Sequence, residues 1–262
     1  MLAGYDDDLA AEATRLSNRA RDLLLAISPA LERVLGPRIS HPAVLALLAA
    51  PTPAALRAGG RRRLSRVVLP LAPRVGDRII EEVLAALDAQ TVVIPGTADS
   101  GRVLAGVTRA LAATLTERRA LAAELESRLD AHPLAGVLTS MPGVGVRTAV
   151  KLLTIIGDGS AFPTAAHLAA YAGLAPVTRR SGRSIRGETR SHRGHRALKS
   201  ALFLSAFASL KDPASRTYYD RKRAEGKRHN AALICLARRR VDVLHAMLRT
   251  RTVYLNADSA AA

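Results

Sequence analysis

Aromatic rings make up only 3% of this chain and tryptophan is absent, so its core has to be filled by Leu, Val, Ile and Ala. Leu and Ala are strong helix formers, and a core made from them points to packed helices rather than to sheets. With 48% hydrophobic residues over 262 positions there is enough material for one large domain or two small ones. The expected fold class is mainly α: a helical linker and coiled-coil arm, then a helical domain with a helix-hairpin-helix and a basic loop that carries serines.

Charge narrows the partner. Lys and Arg number 39 against 22 Asp and Glu, a formal net charge of +17. An excess of that size favours a nucleic acid or an anionic membrane, nucleic acid being the better match. A membrane surface fits less well, because the basic residues interrupt apolar faces instead of lining one. No stretch reaches the roughly 18 uninterrupted apolar residues that a spanning helix needs. The start "MLAGYDDDLAAEATRL" lacks the basic-then-apolar pattern of a secretory signal. The single Cys235, inside "ALICLA", can form neither an intrachain disulfide nor a cysteine zinc site, and is expected to be a buried thiol in a reducing, cytoplasmic location.

Along the chain, residues 1–90 read as a helical linker segment. Residues 7–34 form one amphipathic pattern, with Leu9, Ala13, Leu16, Ala20, Leu23 and Leu24 on one side and a break at Pro29. The run Asp6-Asp7-Asp8 is expected to cap this helix and complement its dipole rather than bind metal. Arg61-Arg62-Arg63 is either a modest phosphate contact or a solvated helix start. Residues 91–132 comprise a linker, "TVVIPGTADSG", and a long helix. Leu104, Leu111 and Leu125 recur at multiples of seven, as do Leu115, Ala122 and Leu129, with Arg118 as the flaw. That spacing suits either a coiled-coil-like arm or an ordinary bundle helix.

Residues 133–254 read as a C-terminal domain. A helix-hairpin-helix is expected over about 137–157, where "PGVG" separates two apolar helical patterns. Gly143 and Gly145 would allow a tight turn and close approach to a strand, with free amides at the next helix start facing a phosphate. Arg147 and Lys151 add charge there. A glycosylase built on this motif would need a catalytic Lys in the hairpin, which is missing. Residues 176–194 form a loop too polar and Gly-rich for a helix. Arg179, Arg180, Arg183, Arg186, Arg190 and Arg193 lie in it, and Arg196 and Lys199 follow, around Ser181-Gly182 and Ser184. Glu188 offsets them. His192 and His195 could act as bases but suit solvent- or DNA-facing roles better. "RALKSALFLSAFASL" is expected to anchor the loop in the core. Asp212-Pro213 opens another helix, and a last helix carries Arg238-Arg239-Arg240 on a partly exposed face. Residues 255–262 read as a disordered tail.

In order along residues 138–207 stand "MPGVG", "YAGLAP", "SGRSIRG" and "LKSAL". Together they resemble the C-terminal domain of insertion-sequence transposases of the one-ten family, the IS116/IS110/IS902 type, recombinases whose relatives use a bridge RNA. The likeness covers about the last 125 residues strongly, and the preceding arm resembles the family's linker helix. The resemblance implies that Ser181 is a nucleophile attacking a DNA phosphate to give a phosphoserine link, with Ser184 as the alternative. It implies DNA as partner, a structured guide RNA as a further one, a homo-oligomer or pairing with a full-length transposase, and a bacterial, nucleoid-associated location. A serine hydroxyl must be activated and the phosphate's gathering charge stabilised, which nearby guanidinium groups suit. The family also has an N-terminal RuvC-like domain whose four acidic residues bind Mg²⁺, and no counterpart of its motifs occurs in these 262 residues. No metal ligand is therefore expected within this chain, Mg²⁺ being tied to that absent acidic domain. The expectation is of a truncated transposase, inactive alone, or else of a non-catalytic DNA- or RNA-binding regulator of transposition.

Overall fold

The computed structural model describes residues 1–49, 52–90, 92, 94–175, 177–181, 184–189 and 193–255, and for 177–189 it describes backbone alone. The fold is mainly α, in two compact units spanning 1–121 and 122–262.

The first unit holds α1 (Leu2–Ile27), α2 (Pro29–Leu35), α3 (Pro42–Leu47), α4 (Pro53–Val68), α5 (Gly76–Asp88) and the first part of α6 (Thr97–Asp130). Its boundaries follow simple chemistry. Proline at the first helical position opens α2, α3 and α4, where the missing N–H costs nothing. Ser28 Oγ accepts from Leu31 N, and Thr52 Oγ1 accepts from Ala55 N at 3.2 Å. Leu24, Ile27, Leu31, Leu35, Ile79 and Ile80 fill the core without a ring among them.

Two expectations change here. The first helix begins at Leu2, five residues before the expected acidic cap, so Asp6, Asp7 and Asp8 sit inside it. Asp6 is buried, and its Oδ1 accepts from Arg118 Nε at 3.1 Å. The arginine that breaks the heptad is thus the partner of that aspartate. Helix α6 also starts at Thr97, within the segment read as linker. Leu104 and Leu111 enter the first unit's core, so this part of α6 behaves as a bundle helix. Helix α4 bends at Gly60 (φ 56°, ψ 179°), and the Arg61 side chain pairs with Glu81 at 2.5 Å.

The second unit continues from α6 through α7 (Ala135–Thr139), α8 (Val146–Ile156), α9 (Ala165–Tyr171), strands β1 (Val177–Ser181) and β2 (Ser184–Thr189), α10 (Arg196–Ala208), α11 (Pro213–Ala224) and α12 (His229–Thr250). Thr164 caps α9 and Asp212 caps α11, the second as the sequence suggests. Helix α12 forms the spine: Leu233, Leu236, Ala237, Val241, Leu244 and Leu248 pack against α8, α9 and α10 residues such as Leu152, Leu168 and Leu198. Cys235 is only half-buried, since it lies beside the buried stripe of α12 rather than on it. Among the described residues, no helix is long and apolar enough to cross a membrane. Of the segment read as a tail, Leu255 is described and exposed, and 256–262 lie outside the described residues.

Candidate functional site

The predicted hairpin region is a short helix, a turn and a longer helix: α7, residues 140–145, then α8. Its two glycines have different tasks. Gly143 adopts φ +78°, and a Cβ there would overlap the Ser205 carbonyl oxygen and stand 2.6 Å from Ser209 N. Within the unit, Gly143 thus lies directly against the end of α10. Gly145 has an ordinary extended backbone and open space around it, and it precedes α8 with no side-chain cap. The amides at the start of α8 are left to other acceptors. Arg147 is exposed and Lys151 half-buried, four residues apart on one side of α8. Gly145, Val146 and Arg147, with Ala122 and Glu126 of α6, line a shallow hollow of about 280 Å³.

Arg240 holds this turn. Only 6% exposed, it donates from Nη2 to Ser205 Oγ at 2.9 Å and to the Pro142 carbonyl oxygen. Burial pushes its guanidinium down to about 10, which leaves it charged at neutral pH. The partly exposed face expected for Arg238-Arg239-Arg240 is thus corrected for the third member. Arg238 pairs with Asp242 at 2.6 Å, and Arg239 lies over the Tyr218 ring.

The serine-bearing segment is a two-stranded antiparallel hairpin. Val177 pairs with Thr189, Thr178 with Glu188, Arg179 with Gly187, Arg180 with Ile185, and Ser181 with Ser184. The register shifts by one residue between Arg179 and Arg180, which makes Arg186 the extra residue of a β-bulge. Polarity and glycine content rule out a helix here, as expected, but pairing gives the segment more order than a loop. Ser181 ends β1 and Ser184 begins β2, facing each other across the strand pair. Gly182, Arg183, Arg190 and His192 lie outside the described residues.

At the root of the hairpin the chain crosses itself. Gly173 (φ +68°) and Gly194 (φ +105°) meet backbone to backbone, so closely that a Cβ on either would overlap the other strand of chain. His195 N donates to the Tyr171 carbonyl oxygen at 2.7 Å, and the two rings lie 5.6 Å apart. His195 Nδ1 accepts from Leu198 N at 3.2 Å, so this histidine caps α10 and that nitrogen is occupied. Arg196 is exposed and Lys199 half-buried in the first turn of α10, and Arg193 is exposed just before it. Cations at a helix N-terminus oppose the dipole, and an anion placed there would be drawn by both. Among the described residues no three His, Cys, Asp or Glu side chains gather where they could share an ion.

Comparison with known proteins places this geometry. Residues 135–220, from α7 to α11, match the model of the transposase IS116/IS110/IS902 family. The chain is 59% identical over 256 residues to the insertion element IS110 uncharacterized 43.6 kDa protein of Streptomyces coelicolor, covering 97% of this chain and 63% of that one. It is 40% identical to the insertion element IS900 uncharacterized 42 kDa protein of Mycobacterium paratuberculosis, covering 98% of this chain and 68% of the relative. The chain belongs to the IS116/IS110/IS902 transposase family. A third member, the insertion element IS116 uncharacterized 44.8 kDa protein of Streptomyces clavuligerus, is 37% identical over 97% of this chain and 64% of its own length. This transposase-family chain therefore spans about two thirds of the length of the relatives it matches. The family match encloses the turn at Gly143, the Gly173–Gly194 crossing and the whole serine hairpin.

What sequence reasoning missed is the scaffold: Arg240 with Ser205, and the pairing of Gly173 with Gly194. Arg240 was signalled by its spacing, since it stands three or four residues from Leu236, Ala237 and Leu244 on the buried stripe. The glycine pair left no local signal, because the two residues are 21 positions apart and only the fold brings them together.

Proposed function

We propose that this chain is a DNA-acting transposase polypeptide in which Ser181 attacks a DNA phosphate and becomes covalently joined to it. The observation that carries the reading is the position of Ser181 at the end of β1, opposite Ser184, on a strand pair whose root is fixed by the Gly173–Gly194 crossing. A nucleophile at the tip of an anchored hairpin can reach a phosphodiester that a flat helical surface cannot. In the attack, the serine oxygen forms a bond to phosphorus as the bond to a strand's ribose oxygen breaks, and the serine proton passes to base or solvent. The link is later broken by another strand's hydroxyl, so no nucleoside triphosphate is consumed. Arg179, Arg180, Arg183 and Arg186 are the proposed donors to the charge that gathers on the phosphate. Arg190, Arg193, Arg196 and Lys199, with the start of α8 at Gly145, Arg147 and Lys151, hold the flanking backbone. In the family reading Mg²⁺ belongs with acidic residues of another domain, and a guide RNA and a second copy or full-length member are further partners.

The test is a nicked suicide duplex bearing an insertion-element end, incubated with the tagged chain, with and without a full-length relative and Mg²⁺. A covalent adduct of the tagged chain on a denaturing gel, lost in Ser181→Ala, is the expected result. Duplex binding with no adduct in any arm would leave the chain as a DNA-binding polypeptide and overturn the serine chemistry.

A further inference from the structure

Outside the serine hairpin, one side chain gathers three cations. Tyr218 of α11 is half-buried against α12, and Arg239 from α12 stands 4.8 Å from its ring centroid. Arg221 stands at 5.0 Å and Lys222 at 5.7 Å from the same centroid. A ring attracts each cation through its quadrupole, but it does not cancel their mutual repulsion. Glu225 neutralises one of them: both its oxygens lie 2.8 Å from Lys222 Nζ. Among the described residues, Arg221 and Arg239 have no carboxylate within ion-pair distance, although other cations nearby do, such as Arg216 with Asp220 at 2.8 Å and Arg238 with Asp242. Both guanidinium groups belong to exposed residues.

We propose that Arg221 and Arg239, braced on Tyr218, form a second contact for the phosphodiester backbone of duplex DNA, on α11 and α12 outside the serine hairpin. A planar guanidinium stacked on a ring loses its freedom before binding, and its N–H edge remains available to pair with phosphate oxygens. Two such groups come from two helices, so packing of α11 on α12 sets their spacing in advance. A lone basic run on one helix would lack that brace. The site deepens the reading of the chain as DNA-acting, on which it rests, and neither the sequence motifs nor the family resemblance points to Tyr218.

The experiment is anisotropy of a labelled 30-base-pair duplex of arbitrary sequence, titrated with the full chain over a salt series. Each phosphate contact steepens the slope of log K against log salt by about one unit. The double variant Arg221→Gln/Arg239→Gln should be shallower than the parent by about two such units. Tyr218→Leu keeps the charges and loses the brace, and should weaken binding by roughly 3- to 10-fold with little change in slope. A control, Arg15→Gln/Arg102→Gln, removes two exposed arginines of the first unit and should leave the slope nearly unchanged. An unchanged slope in Arg221→Gln/Arg239→Gln, or an equal drop in the control, overturns the proposal. If the unaltered chain fails to bind the duplex at all, the DNA-acting reading itself fails. Circular dichroism melts of each variant, matched to the parent, separate lost contacts from lost folding.

Discussion

Arg240 Nη2 lies 2.9 Å from Ser205 Oγ, and the same nitrogen donates to the Pro142 carbonyl, so one buried guanidinium ties α12 to α10 and to the turn before α8. Arg240→Met keeps most of the volume and removes both bonds. It should destabilise the second unit by about 3 kcal/mol, measured by urea unfolding, because two buried acceptors lose their donor. The pH dependence is also fixed. A cation whose folded value is lowered to about 10 carries the cost of its burial undiminished at lower pH, and that cost is relieved only as pH climbs above 10. The stability difference between the parent and Arg240→Met should therefore stay constant from pH 7 to 9. A difference that drifts across that window contradicts the assignment.

Two glycines of the "PGVG" turn should respond oppositely to a methyl group. Gly143→Ala drives a Cβ into the backbone of Ser205 and Ser209 at a positive φ, and should cost at least ~3 kcal/mol. Gly145→Ala meets nothing and has an allowed backbone, so its melting temperature should match the parent. If Gly145→Ala nevertheless weakens duplex binding, the start of α8 is the place where it does so.

The crossing at the hairpin root makes a similar contrast. Gly194→Ala puts a side chain into Gly173 and should unfold or strongly destabilise the second unit. Gly226→Ala has a comparable φ, +81°, but open space, and should cost only ~1 kcal/mol. Equal losses in the two variants would show that backbone conformation, not contact, decides at Gly194.

How much of this was legible beforehand depends on range. Helix ends set by Asp212-Pro213 and Pro29 could be read directly, because caps and prolines act within a turn of their own position. The serine segment was legible as non-helical, though its strand pairing was not, since pairing depends on residues on both sides agreeing in register. Asp6 looked like a cap in sequence and proved to be the buried partner of Arg118, 112 positions away. Likewise the tight turn at Gly143 was foreseen, but its packing against α10 was hidden by more than 60 intervening residues.

That ion pair gives a prediction for the first unit. Asp6→Ala removes the buried carboxylate that Arg118, itself only half-buried, donates to, and should cost about 1–2 kcal/mol. The double variant Asp6→Leu/Arg118→Leu should recover much of the loss, read by the same urea titration. A double variant as unstable as Asp6→Ala would show that the pair has no part in the penalty.

The central claim is that Ser181 becomes joined to DNA, and peptide mapping of the adduct tests it most directly. After nuclease digestion of the adduct and proteolysis of the tagged chain, mass spectrometry should find a nucleotide on Ser181. A nucleotide on Ser184 or on any other residue, or an adduct that persists in Ser181→Ala, would contradict it.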